Sequence, residues 1–255
     1  LQFEGEYLNG LLNGKGKAYD YDGNLMYEGE YLNGKMHGKG KYYYKGKVLF
    51  EGEYLNGEMW NGNIYDLINN EIYELKYGSG FIKVYAYTGK LEFEGEYLNG
   101  KKNRKGKEYD IYDGKLKFEG EYLNEKKNGK GKEYFYGELR FEGEYLNGFK
   151  LGKGKEYYEN GELRFEGEYL YDRLIKGKEY LNGKLEFEGE FLYDKKYNGK
   201  GYDKKGNVIY ELNNGNGKVK EYSYYGILEF EGEYSNGKRN GKGKEYDESG
   251  KLIFD

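Results

Sequence analysis

One histidine, His37, stands among 255 residues, and cysteine is absent. Serine occurs only at Ser79, Ser223, Ser235 and Ser249, and threonine only at Thr88. Nucleophilic catalysis needs a hydroxyl or thiol beside a base that a third group orients. Beyond His37 there is no second histidine and no thiol from which to build one. Glutamate pairs such as Glu4 and Glu6 recur along the chain beside lysines. Two carboxylates can serve glycoside hydrolysis, but a pair repeated in copy after copy reads as a solvated face. The same dispersal, matched by lysine, argues against a metal site. Gly78-Ser79-Gly80 and Gly215-Asn216-Gly217 are not phosphate loops, because no helical pattern follows them. No catalytic, cofactor or metal residue is expected, and the chain reads as a non-enzyme.

The elements that position these residues follow from composition. Hydrophobic residues are 36% of the chain, and 19% of all residues are aromatic, with 35 Tyr, 44 Gly and no Pro. Disordered chains share the low aliphatic content and the 35% charge, but not the aromatics. Rings packed over glycines in a thin, regular structure would order such a chain. The 42 basic and 46 acidic residues are interleaved, so no basic stripe marks a nucleic-acid or anionic-membrane surface. No segment approaches the ~18 apolar residues of a membrane span. Absent cysteine leaves the compartment open, with a cytoplasmic, cytoskeleton- or membrane-associated setting preferred to an extracellular one.

The run FEGEY, or a close variant, begins at Phe3, Tyr27, Phe50, Phe93, Phe118, Phe141, Phe165, Phe187 and Phe230. Degenerate copies without the glycine fit at Tyr73-Glu74-Leu75 and Tyr210-Glu211-Leu212. About eleven copies result, spaced by roughly two strands and two turns. Leu91, Phe93, Gly95 and Tyr97 alternate with Glu92, Glu94 and Glu96, the period of a half-buried strand. Asn9-Gly10, Asn33-Gly34, Asn99-Gly100 and Asn147-Gly148 suit tight turns. A second strand, Gly-Lys-Gly-Lys-Glu-Tyr, follows at Gly129, Gly152 and Gly241. Glu4 and Glu6 would pair with Lys15 and Lys17 opposite the rings. Parity on the second strand groups Lys130, Lys132 and Tyr134 against Gly129, Gly131 and Glu133. Either a bulge or strong twist brings Tyr134 around, or Glu133 sits at the rim of the aromatic face.

The second copy, Tyr27 to Gly40, reads Y-x-G-x-x-x-x-G-x-x-H-G-x-G and resembles the MORN repeat at every fixed position. Other copies replace its histidine by Asn13, Asn103, Asn128 or Asn240. The resemblance makes His37 a structural turn residue. It implies an all-β fold, an elongated single-layer antiparallel sheet of stacked β-hairpins with an aromatic groove. Its implied roles are assembly scaffold, partner-binding surface or phospholipid-contacting module. About 22 strands at ~4.8 Å spacing would extend roughly 100 Å.

The whole of 1–255 is expected to form one array, with variant repeats near 60–92 and 197–229. Those variants share a pattern, from Trp60 to Gly80 and from Tyr197 to Gly217, so a larger unit of about six repeats recurs. They pack like their neighbours or change the local curvature. Leu170 to Lys176 lacks the Asn-Gly turn, and a lengthened or reshaped loop is expected there. Trp60 fills the space of a lost glycine or anchors a partner. The expected function is a non-enzymatic scaffold or protein-binding array. Tyr7, Tyr31, Tyr54, Trp60, Tyr97, Tyr122, Tyr145 and Tyr169 are candidates to line its surface, or to pack over glycines. The alternatives are a surface adhesin or glycan-binding array and a phospholipid-associated tethering module. Leu1 opens the chain within a repeat and neither end carries a cap, so self-association through repeat edges is a further expectation.

Overall fold

A phenylalanine ring two residues before a glycine has room to lie down along its own strand only if the facing residue also lacks a side chain. That condition is met throughout. In the computed structural model, Gly95 faces Gly106, Gly143 faces Gly154 and Gly167 faces Gly177 across neighbouring strands. A Cβ placed on Gly106 would stand 2.5 Å from Phe93 Cζ. The glycine pair is therefore a seat for the ring, and the ring restores the packing that glycine strands lack.

The structure describes residues 2–68, 70–86, 88–223 and 225–254; Leu1, where the sequence opens within a repeat, lies outside them. Contacts divide the chain into Leu1–Lys126 and Lys127–Asp255. The first unit holds β1 (Phe3–Leu8), β2 (Leu11–Tyr19), β3 (Leu25–Leu32), β4 (Lys35–Tyr44), β5 (Lys47–Leu55), β6 (Glu58–Tyr65), β7 (Ile72–Leu75), β8 (Gly80–Tyr85), β9 (Leu91–Leu98), β10 (Lys101–Tyr109) and β11 (Leu116–Leu123). The second holds β12 (Lys126–Phe135, all but its first residue), β13 (Glu138–Leu146), β14 (Phe149–Tyr157), β15 (Leu163–Leu170), β16 (Arg173–Leu181), β17 (Lys184–Leu192), β18 (Lys195–Tyr202), β19 (Val208–Leu212), β20 (Gly217–Tyr222), β21 (Leu228–Ser235), β22 (Lys238–Tyr246) and β23 (Leu252–Phe254). No described residue is helical. Within each unit the strands pair antiparallel with their sequence neighbours except between β7 and β8 and between β19 and β20, and the sheets do not close into a barrel. The protein is all-β, built of stacked hairpins.

Asn-Gly turns behave as their residues require. Asn33 and Gly34 take φ of 50° and 80°, the primed turn that matches strand twist. The segment around Leu170 corrects the expectation of a reshaped loop. Tyr171 and Asp172 form the same two-residue turn with φ of 49° and 68°, as do Tyr193 and Asp194 at 52° and 62°. Left-handed backbone without glycine costs about 1–2 kcal/mol per residue. Here the Asp carboxylates offset part of it by accepting from Lys150 N and Leu174 N of the preceding hairpin, both at 2.8 Å.

Turns also lock each hairpin to the one before. Gly34 N donates to Leu12 O at 2.9 Å, Gly57 N to Met36 O at 2.8 Å and Gly148 N to Lys127 O at 2.8 Å. The neighbouring turn amide finds a side chain. Asn33 N donates to Asn13 Oδ1 at 3.3 Å, Asn147 N to Asn128 Oδ1 at 3.3 Å and Asn56 N to His37 Nδ1 at 3.4 Å. Histidine and asparagine interchange in the repeat because each supplies one acceptor at one place.

In both variant segments the sheet ladder ends, between β7 and β8 and between β19 and β20. An isolated bridge joins Lys76 to Ser79 in one and Asn213 to Asn216 in the other. At register positions where the regular copies have glycine, Leu75 faces Gly62 and Ile82 faces Gly95, 1% and 0% exposed, while Leu212 faces Gly199 and Val219 faces Gly232. Aliphatic side chains thus fill places that glycine leaves open in the other copies. The first variant carries a further anchor. Asp66, 2% exposed, accepts from Ile68 N at 2.9 Å and from the Tyr85 hydroxyl, and pairs with Lys83 Nζ at 2.6 Å.

Candidate functional site

The aromatic side of the sheet is a zigzag of edge-on rings. In the regular copies a phenylalanine such as Phe3, Phe93 or Phe141 meets the tyrosine four residues ahead of it and the equivalent tyrosine of the next copy. Phe141 lies 5.5 Å from Tyr145 and 5.2 Å from Tyr169, at 83° and 87°. Phe165 meets Tyr169 at 5.6 Å and Phe191 at 5.5 Å, again edge-on. Such pairs contribute about 0.5–1.5 kcal/mol beyond their area, and Phe141 and Phe165 each take part in two.

The eight candidate residues separate on this ladder. Tyr31, Tyr54, Tyr122, Tyr145 and Tyr169 are buried, so their packing role over the glycines is occupied. Tyr97 and Trp60 are half-buried, and Tyr7 is 59% exposed. Burial raises the hydroxyl pKa of Tyr54 and Tyr169 well above the ordinary phenol value.

What covers the rings changes along the chain. In the first three hairpins the residues facing the ladder are apolar. Leu12 and Ala18, Met36 and Tyr42, and Met59 with the buried Ile64 pack against Tyr27, Phe50 and their neighbours. From β10 onward most of the same register positions carry opposite charges, Leu174 of β16 being a buried apolar exception. Lys102 Nζ lies 4.4 Å from the Phe93 centroid and 2.9 Å from Glu108. Lys150 Nζ lies 4.1 Å from the Phe141 centroid, with Glu133 at 3.5 Å and Glu156 at 3.7 Å. Arg239 stands 4.3 Å from the Phe230 centroid, between Glu221 and Glu245. Cation over ring and carboxylate beside cation compensate the partial burial of both charges. Burial alone would raise Glu133, but Lys127 and Lys150 outweigh it and hold the carboxyl below its ordinary value. Burial likewise opposes the charge on Lys196, and Glu179, Tyr210 and Glu186 together prevail to raise it.

Glu133 therefore sits on the aromatic side, at the rim, which resolves the parity question of the second strand. The tyrosine after it stays with the lysines. Tyr157 donates to Glu142 at 2.7 Å, Tyr180 to Glu166 at 2.6 Å and Tyr109 to Glu94 at 2.7 Å. Burial, then the glutamate bond, pushes Tyr157 and Tyr180 up to about 12. A bulge is present too, between Glu133 and Tyr134, but it skips a residue on the partner strand rather than turning the tyrosine inward.

The cation lid was legible only by comparing copies. The residue two places after the turn is Leu12, Met36 and Met59 early, then Lys102, Lys127, Lys150, Lys196 and Arg239, with Leu174 the exception among these later copies. The residue six places further changes with it in most copies, from Ala18 and Tyr42 to Glu108, Glu133, Glu156 and Glu245. Among the described residues, no group of three or more His, Cys, Asp or Glu is placed to hold a metal ion.

No curated protein matches the chain. The family model described as MORN repeat matches residues 3–25, 27–47, 93–110, 118–137, 141–162 and 230–251. These matches fall in both units and coincide with hairpins that carry the seated ring, the glycine pair and the primed turn. The protein belongs to the MORN-repeat family.

Proposed function

We propose that the chain is a non-enzymatic scaffold that captures a protein partner on the aromatic side of β1–β6. MORN repeats are generally protein- or membrane-binding and typically not enzymes. The observation that carries the reading is the cover over the rings. Leu12, Met36 and Met59 leave an apolar strip there, whereas the equivalent positions from β10 onward are mostly closed by ion pairs. Hydrophobic anchors of a peptide or helix gain more from that strip than from a charged lid. Of the predicted set, Tyr7 is exposed and Trp60 and Tyr97 are half-buried, and Tyr7 on β1 and Trp60 on β6 lie at the two ends of the strip. The interleaved Lys and Glu give anionic phospholipid no net attraction.

The test is site-specific photocrosslinking in cells of origin, with the crosslinker at Met36 and, separately, at Lys127. A protein adduct from position 36 and none from position 127 supports the reading. Equal adducts from both positions, or lipid adducts alone, overturn it. A second reading, glycan binding, has one observation of its own. Phe149, Tyr171 and Tyr193 present rings to solvent at successive turns of the second unit. A glycan array that loses its signal with Tyr171→Ala and Tyr193→Ala would favour it.

A further inference from the structure

The face opposite the rings carries a regular field of charge. On β1 the residues flanking the floor glycine are Glu4 and Glu6, on β2 they are Lys15 and Lys17, and on β3 Glu28 and Glu30. The pattern repeats with lysines at 39 and 41 on β4 and glutamates at 51 and 53 on β5. Each strand thus has one sign, and the sign reverses at every strand. Register makes this a lattice, because Lys17 faces both Glu4 and Glu28, and Lys41 faces both Glu28 and Glu51. Between the two charged rows runs a shallow groove of about 740 Å³, floored by glycine backbone from Gly5 to Gly52.

These charges are largely unspent within the chain. Lys41 pairs with Glu51 at 2.9 Å. Among the described residues, Lys15, Lys17 and Lys39 have no carboxylate within 4.0 Å. The field is interrupted at β6, where Asn61 and Asn63 flank Gly62 in place of lysines, and resumes with Glu94 and Glu96 on β9 and Lys105 and Lys107 on β10.

We infer that β1–β4 dock face to face with the same strands of a second copy of this chain, through their charge lattices. The argument is one of matching periods. Neighbouring strands lie ~4.8 Å apart, so the sign alternates at that interval across five strands. A helix offers a 5.4 Å pitch and drifts out of step by roughly 2 Å over four intervals. An extended peptide places same-side residues ~6.7 Å apart and fails sooner. A second copy has the same period and stays in step. A two-fold axis parallel to the strands, between β2 and β3, sets β2 over the second copy's β3 and β1 over its β4. Every lysine strand then meets a glutamate strand, an isologous and self-complementary contact. Lysine and glutamate side chains are long enough to reach across into the facing groove. This surface is separate from the aromatic strip, so the two can be occupied together.

The experiment is sedimentation velocity of the full chain over a concentration series in about 0.1 M and about 1 M salt, where the screening length falls from ~10 to ~3 Å. A dimer whose dissociation constant rises roughly tenfold or more at high salt is expected. The quadruple variant Lys15→Gln, Lys17→Gln, Lys39→Gln and Lys41→Gln should weaken it by a similar factor, with an unchanged far-ultraviolet circular dichroism spectrum. Neutralising the lysines at 130, 132, 153 and 155 of the second unit, or changing Met36→Glu on the aromatic side, should leave it intact. A chain that stays monomeric in low salt overturns the inference. So does a dimer insensitive to salt and to the quadruple variant, or one abolished by the second-unit control.

Discussion

Replacing Gly154 by alanine separates ring seating from every other reason a strand has for glycine. Gly154 has ordinary strand backbone, with no left-handed φ, so an alanine can adopt its conformation. Its Cβ would stand 2.6 Å from both Phe141 Cζ and Cε2 and 3.1 Å from Tyr169 Cε2. Carbon atoms in contact settle at ~3.5–4.0 Å, so the Phe141 ring has to retreat by about 1 Å. Its edge contacts at 5.5 Å to Tyr145 and 5.2 Å to Tyr169 weaken with that retreat. Overpacking costs about 1–3 kcal/mol, and partial loss of two ring contacts adds about 1 kcal/mol. The expected loss is therefore about 2–4 kcal/mol. Repeat arrays open locally, so the assay is native-state hydrogen exchange of β13–β15 amides, with urea unfolding in support. Phe141→Leu vacates the space, so Phe141→Leu with Gly154→Ala should cost at least about 1 kcal/mol less than the two changes summed. Gly161, at φ +80° with nothing within 4 Å of where an alanine Cβ would stand, supplies the contrast. There alanine costs only its backbone conformation, about 1 kcal/mol, and shows no interaction with any ring. A Gly154→Ala chain within about 0.5 kcal/mol of the parent, or strict additivity with Phe141→Leu, would falsify the ring-seat argument.

Other consequences can be measured directly. His37→Asn should be nearly neutral, because asparagine is the acceptor at Asn13 and Asn128; His37→Ala should cost about 1 kcal/mol and speed exchange of the Asn56 amide. Folded-state pKa values of about 12 at Tyr157 and Tyr180 lie above the unfolded value near ~10. The folded chain then holds protons that the unfolded chain releases, so stability is constant below pH ~10 and falls as pH rises towards ~12. Tyrosinate absorbance should show a late-titrating class, and a single transition centred near pH ~10 with no loss of stability would contradict this. Asp66→Asn removes the nearer carboxylate beside the nearly buried Lys83 and leaves only the exposed Glu71, at 3.9 Å. About 3 kcal/mol should be lost, with exchange quickening in β6–β8 first.

Much of the architecture follows from two local rules that a sequence displays openly. Phe93, Gly95 and Tyr97 alternate with glutamates, and Asn-Gly can adopt only a few turns, so strands and hairpins are readable without tertiary information. Tyr171-Asp172 escaped because a tyrosine at φ 49° contradicts its own preference. The carboxylate bond to Lys150 N that supports the turn comes from a different hairpin. Leu75 and Ile82 escaped for a related reason, since only the register with Gly62 and Gly95 on the facing strands shows that they stand at glycine positions. The candidate site was half legible. The tyrosines were found as a class, yet which of them stay reachable depends on residues such as Met36 and Lys150 that lie over them. Parity placed Glu133 on the aromatic side, but only the proximity of Lys127 and Lys150 shows how a carboxylate is tolerated there.

The turn-to-turn bonds have a consequence for how such a chain changes length. Hairpins such as those of His37 and Asn128 bring one side-chain acceptor for the successor, whose turn amide, Asn56 N or Asn147 N, is the donor; at Asp172 and Asp194 the sense is reversed. A whole hairpin duplicated or deleted among copies of one sense therefore leaves no unmatched polar group at the new junction. A change of half a hairpin reverses the strand direction and strands both. Growth and loss are thereby restricted to integral steps, and each added step can diverge on its covered face while its two fastenings stay the same.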